Sequence, residues 1–328
     1  MKLQKILVVL DSDESDWSMT DPLIDRAVTL GCQFDAALIL LRVAYEPTLG
    51  FGVLASRESI DAGRLKLMAS YRAAQEGLCE EIRTSSGLEV LSETVWSHDQ
   101  SRCILETTDT RQADLILKRN GEHAYLLGLL STTDWDLVRT ARTPLWFVPQ
   151  DAQRDPSSGI VAAIDQTFFA EETGEEFELD HECFDTAKLL SDQFECPLFA
   201  VHAYLVPNML GGYEAMLPLP AAGRAPFSGE ALSTVRAQVS HRHREAVLDF
   251  IDEHGIPLDD VVIREGHVDR VLTATARAMD AGLIVMGSTN KTWWDRVLGR
   301  VHAEPTLASA PCDVLFIRPT ESPGTGVA

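Results

Sequence analysis

Basic residues are scarce in this chain: 28 lysines and arginines stand against 50 aspartates and glutamates, a formal net charge of −22 at pH 7. Such a surface repels phosphate backbones and anionic headgroups, which argues against nucleic-acid binding and attachment to acidic membranes. It suits high salt, where acidic self-repulsion is screened, so a halophilic or halotolerant source is expected. Long apolar runs are missing as well. None approaches the roughly 20 residues that a transmembrane helix requires, so no membrane insertion is expected. Met1-Lys2 leads straight into the short run from Ile6 to Leu10, too brief for a secretory h-region and cleavage site. The six cysteines (Cys32, Cys79, Cys103, Cys183, Cys196 and Cys312) never form C-x-x-C. In a chain of this length that pattern predicts reduced, mostly buried thiols in a cytoplasmic protein. No G-x-G-x-x-G follows an opening strand, which disfavours a dinucleotide dehydrogenase. No Ser or Cys sits in an elbow motif, and no triad is visible.

What is present is one pattern written twice. Lys5 to Leu10 is a continuous apolar strand ending at Asp11, and Trp17 to Cys32 reads as a helix closed by Gly31. Ala36 to Val43 is a second strand, followed by a long helix from about Ser59 to Ser85. Glu89 to Val95, Asp114 to Lys118 and Pro144 to Pro149 complete five strands, with helices over Asp99 to Arg111 and Asp134 to Thr140. The second half repeats the order. Strands are expected over Gly159 to Ile164, Pro197 to Ala203, Val261 to Gly266, Leu283 to Met286 and Pro311 to Pro319. Helices are expected over Phe177 to Phe194, Glu230 to His254 and Asp269 to Ala281. A unit of about 150 residues repeated once is a duplicated domain rather than a solenoid. Strands alternating with helices predict parallel sheets covered on both faces, so the expected fold class is α/β, two tandem flavodoxin- or Rossmann-like five-stranded domains. The expected boundaries are residues 1–150, a linker at 151–158, a second domain at 159–320 and a loose tail at 321–328.

The stretch from Leu283 to His302 carries the chemistry. A buried run breaks into Gly287-Ser288-Thr289-Asn290, and a further glycine, Gly299, precedes Arg300-Val301-His302. A strand running into a small polar turn and then a helix N-terminus presents backbone N–H groups and a helix dipole to an anion. The element order, the Asp ending each opening strand (Asp11, Asp165) and the strand-four glycine turn resemble the universal stress protein family. The likeness covers nearly the whole chain as two tandem domains, and is nearest to its tandem E type. Thr132-Thr133-Asp134-Trp135-Asp136 stands in the first half, Glu265-Gly266-His267-Val268 and Gly287-Ser288 in the second.

ATP-binding members of that family carry Gly, two residues, Gly, nine residues, Gly, then Ser or Thr. Here Gly287 fits the first position, Asn290 replaces the second glycine, the spacer to Gly299 is one residue short, and Arg300 replaces the Ser or Thr. Asn tolerates left-handed φ, and Arg300 offers a charge-assisted phosphate contact or points to solvent. The resemblance implies that Asp165 meets the adenine edge and Ala203 lines the base. Gly287, Ser288, Asn290, Gly299, Arg300, Val301 and His302 would then surround the phosphates of ATP, ADP or AMP. No cofactor is expected in the first half, where Asn120-Gly121-Glu122 and Thr132-Thr133-Asp134 form no phosphate loop and acidic residues would repel phosphate. The resemblance also implies an intrachain pseudo-dimer through the fifth strands, with a homodimer of the chain as a further possibility.

Blander readings stand beside these. Asp11 and Asp165 can orient loops or cap helices rather than do chemistry. His241 and His243, two apart, diverge by about 200° on a helix, and His181-Glu182-Cys183 shares the fault, so no metal site is expected from either. His202 reads as a satisfied, half-buried imidazole, and Trp293-Trp294 as packing. The functional expectation is a non-enzymatic stress-response protein that binds an adenine nucleotide. The alternatives are a scaffold, or a binder of an apolar or lipid-like ligand under the Met-, Gly- and Pro-rich segment Leu205 to Gly229. A slow nucleotide hydrolase using Asp165 is a third.

Overall fold

The computed structural model describes residues 3–10, 17–46, 57–120, 132–165, 174–204, 229–287 and 310–318. In the first half, β1 (Lys5–Leu10), β2 (Ala37–Ala44), β3 (Val90–Trp96), β4 (Leu115–Arg119) and β5 (Leu145–Val148) alternate with helices. These are α1 (Pro22–Phe34), α2 (Arg57–Ser86), α3 (Gln100–Arg111) and α4 (Thr132–Thr140). In the second half, the strands are β6 (Ile160–Ile164), β7 (Leu198–Tyr204), β8 (Val261–Glu265), β9 (Leu283–Gly287) and β10 (Asp313–Ile317). Its described helices are α5 (Gly174–Phe194), α6 (Gly229–His254) and α7 (Val268–Ala278).

All ten strands join one sheet in the order β3-β2-β1-β4-β5-β10-β9-β6-β7-β8. Within each half every described pairing is parallel, and the order 3-2-1-4-5 repeats from each outer edge inward. The halves meet at β5 and β10, which pair antiparallel with Phe147 opposite Val314 and Trp146 opposite Leu315. The carboxyl ends of the strands in the two halves therefore run toward opposite edges of the shared sheet.

The strands are buried on both faces, which is why they read as continuous apolar runs rather than alternating ones. Ile6, Val8 and Leu10 pack with α1 and α2 on one face, and Ile160, Ala162 and Ile164 pack with α5 on that same face. Leu7, Val9 and Ile116 face α3 and α4 on the other, as Val161 and Ile284 face α7. At the junction, a buried Arg26 from α1 holds Asp313 at the start of β10 at 2.7 Å, and the Trp146 indole N–H donates to the same carboxylate oxygen at 2.9 Å. Burial outweighs Arg26 here and pushes the Asp313 carboxyl up to about 6. Gln33 and Gln193 exchange side-chain-to-carbonyl hydrogen bonds between α1 and α5. Arg318, just past β10, donates to the Val138 carbonyl in the last turn of α4 at 3.1 Å.

Both limits of α1 differ from the sequence expectation, as do the start of α5 and the end of α7. α1 begins at Pro22 and not at Trp17, because the Asp21 carboxylate accepts from the Leu23 N–H at 2.9 Å and Pro22 presets the first turn. It runs through Gly31 and closes at Asp35, which adopts left-handed φ of 52°. Gly31 is a packing glycine: a Cβ there would sit 2.6 Å from Leu88 Cδ1.

Candidate functional site

In open α/β sheets ligands bind outside the carboxyl ends of the strands, so these ends are the place to compare the halves. The register fixes the equivalences. Ile6 pairs with Leu115 and Ile160 with Leu283, while Leu10 pairs with Arg42 and Ile164 with His202. Arg42 and His202 therefore occupy one position, and Lys118-Arg119 ends β4 where Met286-Gly287 ends β9.

In the first half these positions are cationic and closed. Arg42, Lys118 and Arg119 are all buried. The Arg42 guanidinium lies over the Tyr71 ring of α2 at 4.6 Å, and Arg119 over Trp17 at 4.7 Å. Arg119 pairs with Asp21, whose other carboxylate oxygen caps α1. Lys118 pairs at 3.0 Å with Asp134, which is fully buried in the first turn of α4. The acidic residue expected to repel phosphate is thus turned inward and neutralised by a lysine. What fills this edge is paired charge and aromatic surface.

In the second half the equivalent positions are neutral. His202 is buried, its Nδ1 lies 2.8 Å from the Ile164 carbonyl, and its Nε2 lies 2.9 Å from His243 Nδ1 on α6. The carbonyl only accepts, so His202 carries its proton on Nδ1 and offers Nε2 to a proton on His243. Burial, reinforced by His243, drives the His202 pKa down to about 4, and burial lowers that of His243 too. Tyr204 stacks on His243 at 4.6 Å and donates its hydroxyl to Ser240 at 3.0 Å. The expectation of a satisfied imidazole at His202 holds, but the ring is fully buried rather than half-buried. His243, Tyr204 and Ser240 were not singled out as part of a site. Ser240 and His243 are three apart, one face of α6, and that spacing was the available signal. His241 points away from this pair, is exposed, and lies 3.7 Å from Glu245.

Asp165 directly follows β6 and is exposed; its backbone N–H donates to the buried Asp180 of α5 at 3.1 Å. Ala203 is half-buried on β7, beside Arg264 of β8. Gly287 ends β9 without positive φ. A Cβ on it would come within 2.7 Å of Leu179 Cδ2 and 3.3 Å of Cys183 Sγ, so packing against helix α5 favours a glycine there whatever the following loop binds. Ser288, Asn290, Gly299, Arg300, Val301 and His302 lie outside the described residues, as do Asp11, Trp293-Trp294 and most of the Leu205 to Gly229 segment. The structure brings together Asp165, Ala203 and Gly287 only as neighbours along the ends of β6, β7 and β9. A cleft of about 780 Å³ lies elsewhere, at the amino ends of β1 and β2 where Leu3, Lys5, Asp35 and Ala37 face Leu189 and Gln193 of α5.

Two α/β units of strand order 3-2-1-4-5, joined through their fifth strands and differing at their carboxyl ends, define a tandem doubly wound α/β protein. Residues 2–149 and 181–318 match the model of the universal stress protein family, and the chain belongs to that family, with its domain present twice. It is similar to universal stress protein E of Photorhabdus laumondii, 26% identical over 323 residues covering 96% of this chain and 95% of the relative. Universal stress protein E of Escherichia coli K12 is 24% identical over 97% of this chain and 95% of its own length. Among solved structures, a functionally unknown protein from Pseudomonas aeruginosa PAO1 shares the fold with a TM-score of 0.67 at 21% identity, over 97% of this chain and 93% of that one. No helix among the described residues is long and apolar enough to cross a membrane.

Proposed function

We propose that this chain is a non-enzymatic, cytoplasmic stress-response protein whose second half binds ATP or another adenine nucleotide, and that occupancy of that single site is its signal. The observation that supports this most is the contrast at equivalent positions. Arg42, Lys118 and Arg119 put buried cations at three positions of the first half, whereas His202, Met286 and Gly287 put neutral groups at the equivalent positions of the second. Neutral, partly apolar groups at these positions suit a purine, and Asp165 beyond β6 is an exposed acceptor for its amino edge. Ala203 lines the base, and Ser288, Asn290, Gly299, Arg300, Val301 and His302 serve the phosphates. A ligand that favours one conformer shifts its population without any reaction.

The test is to purify the chain without added nucleotide, denature it, and identify released small molecules by mass spectrometry beside an ATP titration. About one adenine nucleotide per chain, at least tenfold weaker binding in Asp165→Ala (about 1.4 kcal/mol) and no phosphate release support the reading. No released nucleotide and no binding at millimolar ATP overturn it. Gly287→Val is a poor probe, because Leu179 and Cys183 would meet the new side chain before any phosphate did.

A further inference from the structure

Two helices of the second half bring four metal-type ligands to one place. α5 carries His181 and, four residues on, Asp185; the last turn of α6 carries Glu253 and His254. Residues four apart share a helix face. His181 Nδ1 and His254 Nε2 are 3.1 Å apart, and an Asp185 oxygen lies 4.0 Å from that same His254 nitrogen. One ligand atom each from His181, Glu253 and His254 fall within 4.8 Å of one another. The sequence reading rejected His181 with its chain neighbours Glu182 and Cys183. Cys183 does turn into the core, while His181 meets its partners across the helix pair.

The His254 ring is oriented for ligation. Its Nδ1 lies 2.8 Å from the Phe250 carbonyl oxygen, which only accepts, so Nδ1 bears the proton and Nε2 presents a lone pair toward His181. A histidine held at one nitrogen by a backbone carbonyl, with the other nitrogen aimed at a shared centre, is the support that metal-binding histidines use. Packing fixes the rings: His254 stacks on Phe250 at 4.2 Å, His181 lies 5.0 Å from Phe250, and Phe184 meets His254 edge-on at 4.9 Å. The His254 side chain is only 10% exposed, whereas Asp185 and Glu253 are open to solvent. An ion therefore reaches the imidazoles past two carboxylates.

We propose that His181, His254, Glu253 and Asp185 form a zinc-type divalent metal site that clamps the end of α6 to α5. Zinc–nitrogen bonds are about 2.0–2.1 Å, so two nitrogens 3.1 Å apart subtend roughly 100° at an ion between them, near the tetrahedral angle. Small rotamer changes bring the exposed carboxylates to the remaining positions. The mixed imidazole and carboxylate set selects zinc or a similar transition ion over calcium and magnesium, which take oxygen ligands. Without metal, a proton on His181 Nδ1 bridges to His254 Nε2; an ion at this place takes the other neutral tautomer, with the His181 proton on Nε2 and the Nδ1 lone pair on the ion. None of these residues belongs to the nucleotide edge, and the proposal stands independently of that reading.

The test uses the full-length, tag-free chain stripped with a chelator and dialysed. Titration with zinc alone should show one ion per chain and a raised Tm, and cobalt should give a tetrahedral visible spectrum that zinc abolishes. His181→Gln and His254→Gln should each weaken zinc about 100-fold, on the scale by which ligand-supporting changes alone cost 10–100-fold. Glu253→Gln and Asp185→Asn lie at exposed positions that leave the fold intact, and at least one should weaken zinc about tenfold or more. His241→Gln, exposed on the same helix, should change nothing. Zinc binding unaltered in both histidine variants, or in both carboxylate variants, would overturn the proposal. So would failure to bind zinc at micromolar concentration, or magnesium binding as tightly as zinc.

Discussion

The two halves share strand order, register and core layout, yet their carboxyl edges are built from opposite materials. At one pair of equivalent positions Arg42 rests on Tyr71 while His202 hydrogen-bonds His243; at another Lys118 holds Asp134 while Met286 is simply buried. A duplicated domain keeps its backbone because the apolar strands and helix faces are retained. The edge, which contributes little to the core, is then free to diverge. In the first half the edge has been turned into structure: three buried cations are matched to aromatic rings and carboxylates, and two of them tie β4 to α1 and α4. In the second half a neutral imidazole pair and a methionine stand at the equivalent positions.

That comparison can be broken by exchanging residues across it. The largest effect is expected from Lys118→Met, which copies the second half into the first and leaves the fully buried Asp134 without its lysine. Breaking one side of a buried pair should lower stability by about 3–5 kcal/mol in urea denaturation, and Lys118→Met with Asp134→Leu should recover most of it. A smaller loss, about 1–3 kcal/mol, is expected for Gly287→Ala, because the new methyl overpacks against Leu179. Adding Leu179→Ala should make the cost of the methyl smaller when the two glycine–alanine pairs are compared in a double-mutant cycle.

Next is a pH effect peculiar to the second half. Folded His202 titrates at about 4 against 6.5 when unfolded, so below pH 6.5 the unfolded chain takes up a proton that the folded chain refuses. The stability that neutral His202 contributes is complete above pH 6.5 and is lost as pH falls from 6.5 toward 4. The loss amounts to about 2 kcal/mol at pH 5. Urea denaturation at pH 7 and pH 5 should show His202→Gln losing less than the parent by that order. The smallest effect belongs to Arg236, whose bidentate pair with Glu265 at 2.6 Å lies exposed between α6 and β8. Arg236→Ala should leave the denaturation midpoint unchanged, against the large loss at Lys118, because exposed pairs are screened by water and salt.

The duplication was legible because buried parallel strands announce themselves as apolar runs, and Lys5 to Leu10 and Gly159 to Ile164 repeat one another openly. Helix ends were less so. Asp35, Gln112, Glu195 and Asp280 all take left-handed φ, work that sequence reading assigns to glycine. Gly31 was read as a stop because the close approach of Leu88 is a contact 57 positions away. Of the candidate site, His202 was visible as a histidine at a strand end. Its partner His243 lies 41 residues on and was weighed only against its neighbour His241. Pairs such as Arg26 with Asp313, 287 residues apart, leave no local trace in sequence.

The most direct test of the central claim, that only the second edge receives a nucleotide, is to label the intact chain with a photoreactive azido-ATP and map the modified peptides by mass spectrometry. The account predicts label confined to second-half peptides carrying Asp165, Ala203 or the residues after Gly287, abolished by excess ATP. Competable label on peptides carrying Trp17, Arg42 or Arg119 of the first half would contradict it.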